Sequence, residues 1–360
     1  MSPSHQPSAD WPALHGARAL SIVAVLACHL LPLGPKTWVD LNITVGQFGM
    51  SIFFGLSAFL IAHKLTTEPS ITAFLVNRFF RIFPLLWLVL GIDFAYRTWV
   101  SLDLGLPAST MLLHASTLIN NWPNQLLKET GHLWSVCVEV HFYLIAALAF
   151  GLAARKGLIG LIFTGLALAI YRASTGDLFN TTTLYRLDEL LIPLAVVPLL
   201  SRAQGSQQPS AAWRLLLNPT LTLPALAVCC LAPPHPVLFP LRPVLATLLI
   251  AGLLNNTKSA ITRLLSSRAL RWLSEHAYAL YLIHPFLVVT WLGTGDTKLI
   301  IYMKRPLLIA VLLLLAYLST RYYERAFIDL GKRLIGRHPK QPLSPHSRNP
   351  SHEHSETRAV

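Results

Sequence analysis

In the stretch RALSIVAVLACHLLP, Arg18 and His29 stand eleven positions apart, and the residues between them are apolar except for Ser21 and Cys28. At about 100° per residue, eleven positions return to within about 20° of the same helix face, about 16 Å further along the axis. An ionisable side chain inside a bilayer is a functional candidate by default. Taken singly, Arg18 reads equally well as a snorkelling topology anchor, and His29 as the maker of an interhelical hydrogen bond. A second basic pair, Arg78 and Arg81 in FLVNRFFRIFPLLW, lies at i and i+3 on one face, where two guanidiniums can grip phosphates bidentately. On the residues alone, positive-inside anchoring is the stronger reading of that pair, with Pro84 in the first turn of the helix that follows.

GHLWSVCVEVHFYL sets His132, Ser135, Glu139 and Tyr143 three and four positions apart, one polar stripe on an apolar helix. Such a stripe suits the wall of a cavity, with His141 off it and facing the headgroups. Tyr281 and His284 follow a turn apart, the histidine before Pro285, while Arg186, Asp188 and Glu189 in YRLDELLIP read as a surface ion pair. Histidine, with an ordinary pKa near 6.5, is the natural general base for a hydroxyl at neutral pH. Glu139 would hold its tautomer or stabilise the imidazolium if the fold brought the two together. Basic groups at one mouth and His and Glu in the far half suit a phosphate-bearing donor from inside and a hydroxyl acceptor from outside. No metal is expected, and the tail histidines His346, His352 and His354 read as solvated low-complexity sequence.

Only a membrane bundle can hold these side chains. The 360 residues are 53% hydrophobic and 12% charged, with a mean hydropathy of +0.52, a balance that excludes an ordinary soluble domain. The fold class expected is an all-α polytopic membrane protein. A net charge of +13 is explained by lysines and arginines between apolar spans, so no nucleic-acid partner is expected. A span needs about 20 apolar residues, and about ten transmembrane helices are placed near 17–33, 46–62, 82–100, 134–153, 157–172, 187–201, 215–232, 236–254, 276–293 and 306–323. Residues 104–120 read as a loop helix or re-entrant piece, an eleventh span being the minority reading. Most of the 29 Lys and Arg then fall in segments on one side, which sets both termini in the cytoplasm, N-in/C-in. Residues 1–16 form a cytoplasmic N-terminal tail, 17–334 the transmembrane domain, and 335–360, rich in Pro, Ser and His, a disordered cytoplasmic tail. The first apolar run lacks a small-residue cleavage site and is expected to be retained as a span. The four cysteines read as buried small hydrophobes.

In order along the chain, these motifs resemble the acyltransferase 3 family, bacterial integral-membrane enzymes that O-acylate surface polysaccharides and related acceptors. The resemblance runs from Arg18 to about Leu334. It comprises the Arg18 to His29 spacing, GQFGMSIFFGLSAFLI, NRFFRIFPLLW, HLWSVCVEVHFYL, YRLDELLIP, LRWLSEHAYALYLIHPF and YYERAF. Ser51 stands where the family usually has Asp and Ala58 where it has Gly. Val140 and His141 replace Glu and Gln, Pro193 a Gly, Ala277 a Ser and Ala326 a Pro.

What the resemblance implies is an acyltransferase domain at 17–334 in the bacterial inner membrane. It would take an acyl group, most often acetyl, from cytoplasmic acyl-CoA to a hydroxyl of a surface or periplasmic glycan or glycolipid. Acyl-CoA, commonly acetyl-CoA, is then a donor substrate and no bound cofactor is implied. The partners are that donor, a carbohydrate or glycolipid acceptor, the bilayer and polysaccharide-assembly proteins. By motif position His29 and Glu139 would be catalytic, and Arg18, Arg78 and Arg81 would bind the donor. His132, Ser135, Tyr143, Tyr281 and His284 are candidate substrate-site residues. The rival class is a proton-coupled transporter or exporter of glycan precursors with His29 and Glu139 as a relay. Against it stand the missing inverted repeats and the scarcity of broken midspan helices.

Overall fold

A computed structural model describes residues 10–33, 41–67, 70–99, 128–203, 210–231 and 238–336. The 104–120 segment and the tail beyond Gly336 lie outside these. The described residues are helical, with no strand among them. The first five helices are α1 (Pro12–Leu30), α2 (Leu41–Thr67), α3 (Ile71–Trp99), α4 (Trp134–Thr175) and α5 (Asp188–Ala203). Three follow as α6 (Ala211–Leu216), α7 (Pro219–Leu231) and α8 (Arg242–Asn255). The rest are α9 (Ala260–Leu265), α10 (Arg268–Glu275), α11 (Ala277–Val288), α12 (Lys298–Leu318) and α13 (Arg325–Leu334), with a π-helical turn at Ser319–Glu324 between the last two. Among the described residues, five stretches are long and apolar enough to cross a membrane: Pro12–Leu30, Leu41–Thr67, Ile71–Ala95, Gly131–Ala149 and Lys298–Leu334.

Local chemistry explains several of the boundaries. α1 begins with Pro12 in its first turn, where the missing N–H costs nothing. It ends because Leu31, which precedes Pro32, is forced to extended backbone. The expected tail of 1–16 is therefore shorter, since the helix already runs at Pro12. α3 starts at Ile71 rather than near 82, so Arg78 and Arg81 lie within the helix and Pro84 sits in its interior instead of its first turn. Membrane helices tolerate such a proline where neighbours re-satisfy the backbone. Neighbouring helices also bond this stretch directly: the Tyr278 hydroxyl donates to the Ile82 carbonyl at 2.7 Å and the Tyr323 hydroxyl to the Pro84 carbonyl at 3.2 Å, neither being the Phe80 carbonyl that Pro84 leaves without its helical donor.

Helical backbone continues through α4, which at 1.5 Å per residue would hold residues 134 and 172 about 57 Å apart if straight. The contacts forbid that. The Arg186 guanidinium lies 5.2 Å from the Trp134 ring and 3.0 Å from Glu189 Oε1, which Arg172 also reaches at 2.9 Å. The chain therefore doubles back between an arm at Gly131–Ala149, long and apolar enough to cross a membrane, and a shorter apolar arm at Ile159–Thr175. Gly176, in the left-handed conformation at φ 70°, ends the second arm.

α1 and α2 form the centre of the bundle and approach at Gly49, where a Cβ would lie 2.6 Å from the Ser21 carbonyl oxygen. Gly16 similarly lets α1 reach the backbone of Leu265, whose carbonyl oxygen would be 1.8 Å from an added Cβ. Small residues at such crossings let membrane helices gain packing contacts. One apolar core gathers Phe54, Phe74 and Phe142, and a second Ile52, Leu56, Leu226 and Ile250.

The Arg186, Asp188 and Glu189 trio is not on the surface. All three are fully buried together with Arg172 and Arg242. Glu189 Oε1 accepts from Arg172 at 2.9 Å, Arg186 at 3.0 Å and Arg242 at 2.8 Å, while Asp188 accepts from Arg172 at 2.7 Å. Gln47 Oε1 takes two more guanidinium hydrogens, and the Ser51 hydroxyl donates to Glu189 Oε2 at 3.1 Å. This network clamps α2, α4, α5 and α8. His141 is half-buried, with Nδ1 2.6 Å from the Thr183 hydroxyl.

Candidate active site

A cavity of about 80 Å³ opens among α1, α2, α3, α4 and α11, room for several water-sized groups. Arg18 enters it from α1, Arg78 and Arg81 from α3, Ser57 from α2, Ser135, Glu139 and Tyr143 from α4, and Tyr281 from α11. The polar stripe of α4 thus lines a cavity, as its three-and-four spacing requires. Glu139 Oε1 accepts hydrogen bonds from Ser57 and Tyr143, each at 2.5 Å. Arg78 lies over the rings of Tyr143 at 5.2 Å and Phe74 at 5.5 Å. Arg81, Glu139, Arg78 and Arg18 line the same cavity. Among the described residues none of the three guanidiniums forms a salt bridge. Three cations against one carboxylate give this end of the cavity an excess of positive charge and free donors for an anion.

The other end closes on Tyr281. Its hydroxyl donates to the His132 carbonyl and so accepts from the Ser135 hydroxyl, 2.6 Å away. Behind it lies a cluster of three histidines. His284, fully buried, has Nδ1 2.8 Å from the Tyr281 carbonyl and 3.2 Å from that of Leu280. Its Nε2 is 3.0 Å from Nδ1 of His29, and the two rings are tilted by only 24°. The His132 ring centre is 5.5 Å from that of His284. His29, in the last turn of α1, is exposed.

Two levels result. Arg18, Arg78, Arg81, Glu139 and Tyr143 share the first; His29, His132, Tyr281 and His284 share the second, with Ser135 between. A Glu139 to His29 contact, which a carboxylate-held imidazole needs, does not form: the hydrogen-bond partners of Glu139 are Ser57 and Tyr143, and that of His29 is His284. The cause is distance along the helices. Glu139 stands about 10 Å along α4 from His132, at the level of Arg18, whereas His29 lies about 16 Å further along α1. Nor do His29, His132 and His284 line the cavity itself; Tyr281 and Ser135 stand between. Ser57 and Tyr278 join the cavity wall without having been singled out in the sequence. A hydroxyl in an otherwise apolar span was the available signal for Ser57.

A family model described as an acyltransferase domain matches residues 11–321. The chain is similar to the acyltransferase MdmB of Streptomyces mycarofaciens, 25% identical over 319 residues that cover 78% of this chain and 79% of that one. It is also similar to the peptidoglycan O-acetyltransferase OatA of Listeria monocytogenes, 26% identical over 151 residues. That match covers 37% of this chain and only 23% of the relative. No solved structure matches.

Proposed function

The chain belongs to the acyltransferase 3 family, and from that premise we propose that it moves an acetyl group from cytoplasmic acetyl-CoA to a hydroxyl of a glycan or glycolipid beyond the membrane. The observation that carries this reading is the two-level site. Unpaired guanidiniums of Arg18, Arg78 and Arg81 stand at one end of a cavity, and an exposed histidine stands past the other. The similarity to OatA, a peptidoglycan O-acetyltransferase, supports acetyl as the group and a glycan as the acceptor.

In this mechanism the arginines hold the phosphates of the donor, and the thioester passes Glu139 toward Ser135 and Tyr281. The acceptor hydroxyl approaches from the His29 side. His29 takes its proton as the oxygen attacks the thioester carbon. The tetrahedral intermediate then expels the thiolate of CoA, which receives the proton from His29, so that an ester and free CoA leave. Glu139, fixed by Ser57 and Tyr143, balances the arginine charge and keeps Arg18 and Arg78 aimed into the cavity. Arg18 lies at the cytoplasmic end in this orientation. The Tyr323 to Pro84 contact, which joins the turn after α12 to the helix of Arg78 and Arg81, supports an N-in/C-in reading in the inner membrane of a bacterium.

The test is radiolabelled acetyl-CoA given to the purified protein in detergent with a hydroxylated glycan acceptor. Wild type transfers label and His29→Ala does not, while remaining at normal level in the membrane; full transfer by that variant would overturn the mechanism. Mass analysis of surface glycans from a deletion strain identifies the acceptor.

A further inference from the structure

We propose that His284 is the positioning residue of His29, fixing the proton of the neutral imidazole on Nδ1 and so presenting Nε2 as the proton acceptor. The proposal rests on the reading of His29 as the base. It starts from His284, whose Nδ1 faces two main-chain carbonyls at 2.8 and 3.2 Å. A carbonyl can only accept, so that nitrogen carries a hydrogen. The side chain is fully buried, and no carboxylate is among its hydrogen-bond partners in the described residues. A buried cation without a counter-charge is strongly disfavoured, which leaves a neutral ring with a lone pair on Nε2.

Nε2 of His284 can therefore only accept, and the atom 3.0 Å from it, Nδ1 of His29, must donate. With its hydrogen on Nδ1, His29 keeps its free lone pair on Nε2.

During transfer the acceptor O–H bond breaks, its proton goes to Nε2 of His29, and its electron pair forms the new C–O bond. The imidazolium so formed strengthens its Nδ1–H bond to His284, because a charged donor makes a stronger hydrogen bond. When the C–S bond breaks, the thiolate takes the proton from Nε2. His284 gains and loses nothing. Its role matches that of a carboxylate beside a catalytic histidine, played by a neutral ring whose own tautomer is set by the backbone of α11.

The first experiment needs no variant of His284. Protein labelled with 15N-histidine is solubilised and its imidazole nitrogens read by NMR, the His29 signals being those lost in His29→Ala. The expected pair is a protonated Nδ1 and an unprotonated Nε2 at neutral pH; the opposite tautomer overturns the proposal. The second compares two substitutions by acetyl transfer. His284→Leu should lower kcat about 100-fold and leave the KM for acetyl-CoA within about twofold, a size typical of lost support for an acting histidine. His284→Gln, whose amide oxygen can accept from His29, should stay within about tenfold of wild type. An unchanged kcat in His284→Leu, or an equal loss in both, sinks the assignment. An active His29→Ala would instead remove the base, and the NMR result would stand apart from it.

Discussion

At Glu139 a single carboxylate oxygen accepts from both Ser57 and Tyr143. A hydrogen bond to a charged group contributes about 1.5–3 kcal/mol, so Tyr143→Phe should slow acetyl transfer about tenfold while Ser57 keeps part of the geometry. Steady-state kcat measures it. The arginines act differently, because their forks are open to a ligand. Arg81→Lys keeps the charge and loses the planar pair of donors. It should raise the KM for acetyl-CoA about tenfold with kcat nearly unchanged, read in the same assay at two salt concentrations. These residues were visible in the sequence because each is a polar type in an apolar run. Their grouping was half visible: periodicity placed Arg18 with His29 and Glu139 with Tyr143, yet gave no sign that histidine would meet histidine.

Helix α1 carries Arg18 and His29, so its fit against α2 and α9 sets where both stand relative to the other helices. Gly49→Ala would drive a methyl against the Ser21 carbonyl oxygen at 2.6 Å, and backbone cannot yield as a flexible side chain can. Overpacking of this kind costs about 1–3 kcal/mol. Thermal unfolding in detergent should show a Tm lower by several degrees, with transfer reduced because Arg18 and Ser21 move together. The start of α3 was misread from the sequence for a physical reason. Arg78 and Arg81 look like a boundary when a span is sought by apolar length, but their guanidiniums turn into a cavity, which lets the helix continue past them.

Across the molecule, the buried network of Arg172, Arg186, Arg242, Asp188 and Glu189 joins four helices. Its three cations share Glu189, and removing one partner of a buried ion pair destabilises by about 3–5 kcal/mol. Glu189→Gln should therefore unfold at a markedly lower temperature than wild type, or fail to accumulate, while the exposed Lys332→Gln stays near wild type in the same melts. The proposed orientation, with both ends of the chain in the cytoplasm, has its own test. Tags at the N-terminus and the C-terminus should both resist protease added to intact spheroplasts and both be cut after lysis; cleavage of either before lysis contradicts the orientation.

The sequence by itself determined the membrane-helical class, the family, and the inventory of arginines, histidines and one glutamate, because apolar run length, helical period and motif order are local properties of a chain. Only the tertiary structure decided who meets whom. Glu139 found Ser57 and Tyr143, His29 found His284, and the trio at Arg186, Asp188 and Glu189 sank into the bundle. Such pairings join residues as far apart as His29 and His284, and a long-range contact depends on the crossing and level of two helices, which no local pattern encodes.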